Sequence, residues 1–106
     1  MITDIVKKLP ALKIQEKRSL TDDYAEFVIL TGELNQWAAA LTKILDSPIK
    51  PEGMEADKEA LRLTKKFGGI CTNQTLFKKD FEKKTVIAMF WPWGNGEQTT
   101  LKLAVV

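Results

Sequence analysis

The chain has 106 residues, 44% apolar and 28% charged, with 16 basic against 14 acidic residues and a net charge of +2. Those values describe an ordinary single globular domain and exclude a disordered, collagen-like or disulfide-built chain. There is no histidine and one cysteine, Cys71, so Ser-His-Asp and Cys-His catalysis, His-ligated metal sites and an internal disulfide are excluded.

Ile2, Ile5, Val6 and Leu9 recur at helical spacing, Thr3 is placed to cap and Pro10 ends the pattern, which predicts a short helix. Leu12 to Arg18 alternates apolar and polar residues as a half-buried strand does, and Ser19 to Asp23 reads as a turn. Tyr24 to Thr31 is a strongly apolar strand, predicted to pair with the first as a hairpin. Gly32 breaks that pattern. Leu34, Trp37, Ala38, Leu41, Ile44 and Leu45 then share one face of a helix predicted over Glu33 to Asp46. Two prolines and a glycine between Ser47 and Gly53 stop it. A second helix is predicted from Met54 or Ala56 to Phe67, with Ala56, Ala60, Leu63 and Phe67 as its apolar stripe and Gly68-Gly69 as its stop.

Ile70 to Asp80 is the next predicted strand, with Thr75, Phe77, Lys79 and Phe81 on one parity. Thr85 to Trp91 is apolar on both parities, which predicts a central strand covered on both sides or a contact between two copies. Asn95-Gly96 is a hairpin dipeptide. Thr99 to Val106 alternates, with Leu101, Leu103 and Val105 pointing one way and Thr100, Lys102 and Ala104 the other. The order short α, ββ, αα, βββ predicts an α+β fold. It is read as a two-layer sandwich: one mostly antiparallel sheet of about five strands, with the two main helices on one face.

The chemistry-bearing motifs are few. There is no Gly-rich dinucleotide loop, no Walker lysine loop, no metal-spaced cysteine pair and no nucleophile elbow, so no catalytic residue, metal or cofactor is assigned. Asp22-Asp23 is read as turn chemistry, and Asp80 with Glu82 as two acids sharing a strand face among lysines. Cys71 follows a helix C-terminus, which disfavours a thiolate, and is read as a small buried apolar residue.

Two surfaces stand out. Trp91-Pro92-Trp93, with Asn95 in the following turn, makes a rigid aromatic contact patch for a protein, peptide or sugar, Trp91 toward the core and Trp93 toward solvent. Charge is also uneven: Glu52, Glu55, Asp57 and Glu59 against Lys58 give −3, whereas residues 62–84 give +5. Arg62, Lys65, Lys66, Lys78, Lys79, Lys83 and Lys84 are the candidate phosphate contacts there. Strand alternation sends one lysine of each strand pair to each face, and the chain has only two arginines, Arg18 and Arg62.

The sequence therefore predicts a binding domain without catalytic activity that acts as a homodimer, or binds another protein, through the apolar strand and the aromatic turn. A nucleic-acid accessory protein using the basic stretch is the second reading, and a small enzyme using carboxylate or lysine chemistry the third. The N-terminus lacks an apolar run of signal-peptide length. The longest uncharged stretch, Thr85 to Gly96, is too short to span a bilayer as a helix, and the expected compartment is the cytoplasm.

Overall fold

The computed structural model describes residues 1–106. Its elements run α1 (Ile2–Lys8), β1 (Glu16–Leu20), β2 (Tyr24–Leu30), α2 (Leu34–Leu45), α3 (Lys58–Thr64), β3 (Thr75–Phe81), β4 (Lys84–Pro92) and β5 (Gln98–Val105). Single 3-10 turns precede α2 at Thr31–Glu33 and follow α3 at Lys65–Phe67. All five strands join one antiparallel sheet in the order β1-β2-β5-β4-β3. The α+β class, the antiparallel sheet and the element order agree with the sequence prediction.

β4 lies inside the sheet, hydrogen-bonded to β5 on one side and β3 on the other. Its two parities go to two cores. Val86, Ala88 and Phe90 join Ala25, Phe27, Ile29, Phe77, Leu101 and Leu103 against Ile2 and Ile5 of α1 and Trp37, Leu41 and Leu45 of α2. Ile87 and Met89 join Leu76 and Ala104 against Ala60 and Leu63 of α3 and Ile70. Here the prediction needs correcting: α3 packs on the sheet face opposite α1 and α2, so three layers stand where two were expected. An apolar stripe on each helix and two apolar parities on β4 allow either arrangement by pattern, and only the second buries Ile87 and Met89.

Several boundaries also differ. α3 begins at Lys58 because Asp57 caps it, its side chain accepting from the Ala60 N–H at 2.8 Å. Thr3 does not cap α1; its hydroxyl donates to Asp22 at 2.7 Å. β1 starts at Glu16, with Leu12 to Gln15 outside it and the Leu12 N–H turned back to Pro10. β3 starts at Thr75, so residues 70–74 are a loop and Cys71 is exposed, contrary to the buried position expected. Glu82 sits in the turn after β3 with φ 51, so it shares no strand face with Asp80. The αL stop after α3 is present, Gly68 at φ 89 and Gly69 at φ 91.

The loops flanking α3 are held by an unexpected group. Lys50 is only 2% exposed. Its ammonium donates to the carbonyls of Pro51 at 3.2 Å, Thr72 at 3.2 Å and Gln74 at 2.5 Å. Its backbone forms an antiparallel bridge with Leu76. Burial pushes the lysine pKa below its ordinary value, and the three carbonyls are the groups that compensate the buried charge. Replacement by Met keeps the length of the side chain and removes this donor from all three, leaving Thr72 only its bond from the Gly53 N–H at 2.8 Å. Lys50→Met is expected to lower unfolding free energy by about 2–3 kcal/mol in urea titration, whereas Lys79→Met, at a surface ion pair, changes it by less than about 0.5 kcal/mol. Equal effects would show that the buried ammonium does not organise these loops.

Candidate functional site

Strand registers place residues of the α3-side face in rows. Lys78, Ile87, Ala104 and Tyr24 make one; Leu76, Met89, Lys102, Glu26 and Ser19 the next; Trp91, Thr100, Val28 and Glu16 a third. A seven-residue helix is only about 10 Å long, and α3 covers the middle of this face. Phe67, at the end of the 3-10 turn, stacks on Tyr24 with ring centroids 5.8 Å apart. Beyond the cluster that α3 builds, Glu26 and Lys102 are part-exposed and leave the face toward β1 partly open, while Val28 and Thr100 on the same rows are buried.

Both tryptophans border that opening, and both are half-buried; Trp91 packs on the α3-side core with its indole nitrogen buried, as expected, whereas Trp93 is not the exposed residue expected. The Lys102 ammonium stands 3.6 Å above the Trp91 ring. Trp93 donates its indole N–H to the Thr100 hydroxyl at 2.8 Å, and the Arg18 guanidinium lies 5.4 Å from its centroid. Trp93 thus folds back across β5 toward β1. Such cation–π pairs contribute about 0.5–1 kcal/mol when exposed and more when desolvated. Arg18 also pairs with Glu16 and, at 3.6 Å, with Glu26; the hydrogen bond to Glu16 is the main cause raising its pKa. Tyr24 donates to Glu26 at 2.5 Å, and burial, followed by that bond, pushes its phenol well above the ordinary value.

Asn95 spends its side chain inside the turn. Its oxygen accepts from the N–H groups of Glu97 and Gln98, and its amide donates to Gln98. That geometry shapes the hairpin that brings Trp93 back over the sheet.

The basic stretch is dispersed by the fold. Arg62, Lys66 and Lys78 come together around a cleft of about 360 Å³, with Leu63, Asp80, Thr85 and Val106. Lys65 lies beside it, on a shallow groove with Lys58 and Arg62. Lys79 points to the other sheet face and pairs with Asp46 at 3.3 Å. Lys83 and Lys84 sit at the β3–β4 turn beside Met1 and Asp4. Lys78 is engaged with Glu59 at 2.7 Å and Asp80 at 3.7 Å; the hydrogen bond to Glu59 is the main cause that raises its pKa. No helix is long and apolar enough to cross a membrane.

Sequence reasoning did not single out Arg18, Glu26 and Lys102. They meet across three strands through register, and the only sequence signal was the polar parity of Lys102 on the last strand. The chain matches no family model, no curated protein and no solved structure.

Lys102→Ala is expected to uncover the Trp91 ring, shifting tryptophan emission to longer wavelength and costing about 0.5–1 kcal/mol in urea unfolding. Trp93→Phe keeps an aromatic ring but loses the bond to Thr100, for about 1 kcal/mol. Unchanged emission and stability in both variants would show that this face is not ordered by these contacts.

Proposed function

We propose that this chain is a binding domain without catalytic activity that associates with a second copy of itself through the open part of the α3-side sheet face. The observation that carries this reading is the composition of that face: two half-buried indoles surrounded by two acids, Glu16 and Glu26, and two bases, Arg18 and Lys102. A twofold interface must be complementary to itself. Glu26 and Lys102 are register neighbours, so an axis passing between them sets each acid over the base of the second copy. Aromatic residues and Arg are the side chains that anchor such contacts.

The apolar strand predicted from sequence and the outer edge of β1 stand outside this reading. β4 is hydrogen-bonded on both sides and covered on both faces, so its apolar residues serve the chain's own cores. The outer edge of β1 carries Glu16, Lys17 and Arg18 and a bulge between Lys17 and Ser19, features that oppose edge-to-edge pairing. A nucleic-acid platform on the same face is less well supported, because each indole already carries a cation of the chain and the neighbouring acids repel phosphate.

Size sets the strength. Three strands at roughly 4.8 Å and the two rows outside the α3 cluster at roughly 6.8 Å give a footprint on the order of 200 Å² before the Trp93 turn is added. A standard stable interface buries about 800 Å² per partner, so the association belongs to the weak, transient class. Light scattering from about 10 to about 500 μM should show a rising mean mass, with a dissociation constant on the order of 100 μM. Glu26→Lys and Lys102→Glu should each abolish it, and an equimolar mixture of the two variants should restore it. A constant monomer mass, or association indifferent to both variants, would refute the reading.

A further inference from the structure

We propose that the cleft between α3 and the Thr85 end of β4 holds the phosphate group of a small phosphomonoester, through Arg62 and Lys66 with Lys78 behind them. Arg62 from α3 and Lys66 from the 3-10 turn that follows it line the same cleft, while Lys78 rises from β3. Neither Arg62 nor Lys66 has a carboxylate within 4.0 Å. Lys78 is different: Glu59 and Asp80 already balance it, and Asp80 also accepts from the Thr85 hydroxyl at 2.6 Å. Arg62, Lys66 and Lys78 against Glu59 and Asp80 leave the cleft a net charge of +1, and Arg62 and Lys66 are its two cations without an ion pair. A phosphomonoester carries about −1.5 to −2 charges near neutral pH, so its oxygens have both unpaired cations to bind.

The volume, about 360 Å³, lies within the range of small-molecule sites. Leu63 and Val106 give the remaining wall an apolar part for the organic moiety. Arg62 contributes a planar fork suited to two phosphate oxygens at once. A nucleic-acid strand is a poorer occupant. Its diester phosphates carry single charges and need a continuous cationic track, whereas Lys79 lies on the opposite face and Lys83 and Lys84 lie at the β3–β4 turn. The cleft is independent of the surface proposed for self-association, because Thr85 and Trp91 are six residues apart on β4, about 20 Å.

Amide chemical shifts followed during titration with inorganic phosphate, phenyl phosphate and a single-stranded oligothymidylate, at low ionic strength, test the assignment. Both small phosphates should give saturable shifts centred on Arg62, Lys66, Lys78 and Thr85, with phenyl phosphate the tighter and its dissociation constant on the order of 1 mM. The double variant Arg62→Gln with Lys66→Gln should weaken binding at least about tenfold and leave the rest of the spectrum, and hence the fold, unchanged. Lys102→Ala should bind as the native chain does. The proposal is overturned if neither small phosphate saturates, if the shifts scatter over all lysines, or if the oligonucleotide binds more tightly with shifts running through Lys83 and Lys84.

Discussion

The fold depends on one constraint, that β4 is apolar on both faces and hydrogen-bonded along both edges. Burying a Val, Ile, Met or Phe side chain contributes roughly 1.5–3 kcal/mol, so neither parity of this strand is stable facing water. Val86, Ala88 and Phe90 are covered by α1 and α2 with Trp37 at the centre, and Ile87 and Met89 by α3. α3 is too short to persist alone, because isolated helices under about 12 residues are marginal in water. It is helical because the sheet face beneath it supplies Leu76, Ile87, Met89 and Ala104, and because Asp57 satisfies its first turn.

Placing a short helix there requires two irregular connections, residues 46–57 before it and 68–74 after it, and neither has a ladder of its own. Their carbonyls need donors. Lys50 supplies them from one side chain, reaching the first connection at Pro51 and the second at Thr72 and Gln74. A lysine is suited to this because its three N–H groups can point at three acceptors in different directions. The same residue pairs its backbone with Leu76, which extends the β3 edge and fixes where that strand begins. The buried ammonium is thus linked to the position of α3, and through α3 to the covering of β4.

This hierarchy explains what the sequence made legible. α2 and β5 were readable because one amphipathic pattern runs through each without interruption, and β4 because its run has no polar residue from Val86 to Trp91. Which helix covers which face of β4 was not readable, since both helices carry one apolar stripe and periodicity does not say where a stripe lands. Ile70 to Gln74 has apolar members but folds as a loop: Ile70 alone enters the core, while the Cys71 N–H is taken by the Gln74 side chain at 2.7 Å. The tryptophans were visible as unusual residues beside a turn. Their partners were not, because Arg18, Thr100 and Lys102 reach them only through strand register, a long-range property that local spacing does not encode.

Strand alternation also decides what the charges can do. Lys78 and Lys79 are neighbours in sequence, yet one meets Glu59 from α3 and the other meets Asp46 after α2, on opposite faces of the sheet. A run of positive charge therefore does not become a positive surface, and the +5 of residues 62–84 is divided before any ligand arrives. What survives undivided is set by the length of α3. At about 10 Å the helix covers the middle of a β4 strand nearly three times as long, and it leaves uncovered sheet at both ends. At the Thr85 end the uncovered space is bounded by Arg62 and Lys66, giving a cationic cleft. Beyond the Trp91 end it is bounded by two indoles, by Arg18 paired with both Glu16 and Glu26, and by Lys102 over the Trp91 ring, a surface with no net charge. Both follow from a sheet wider and longer than the helix that covers it.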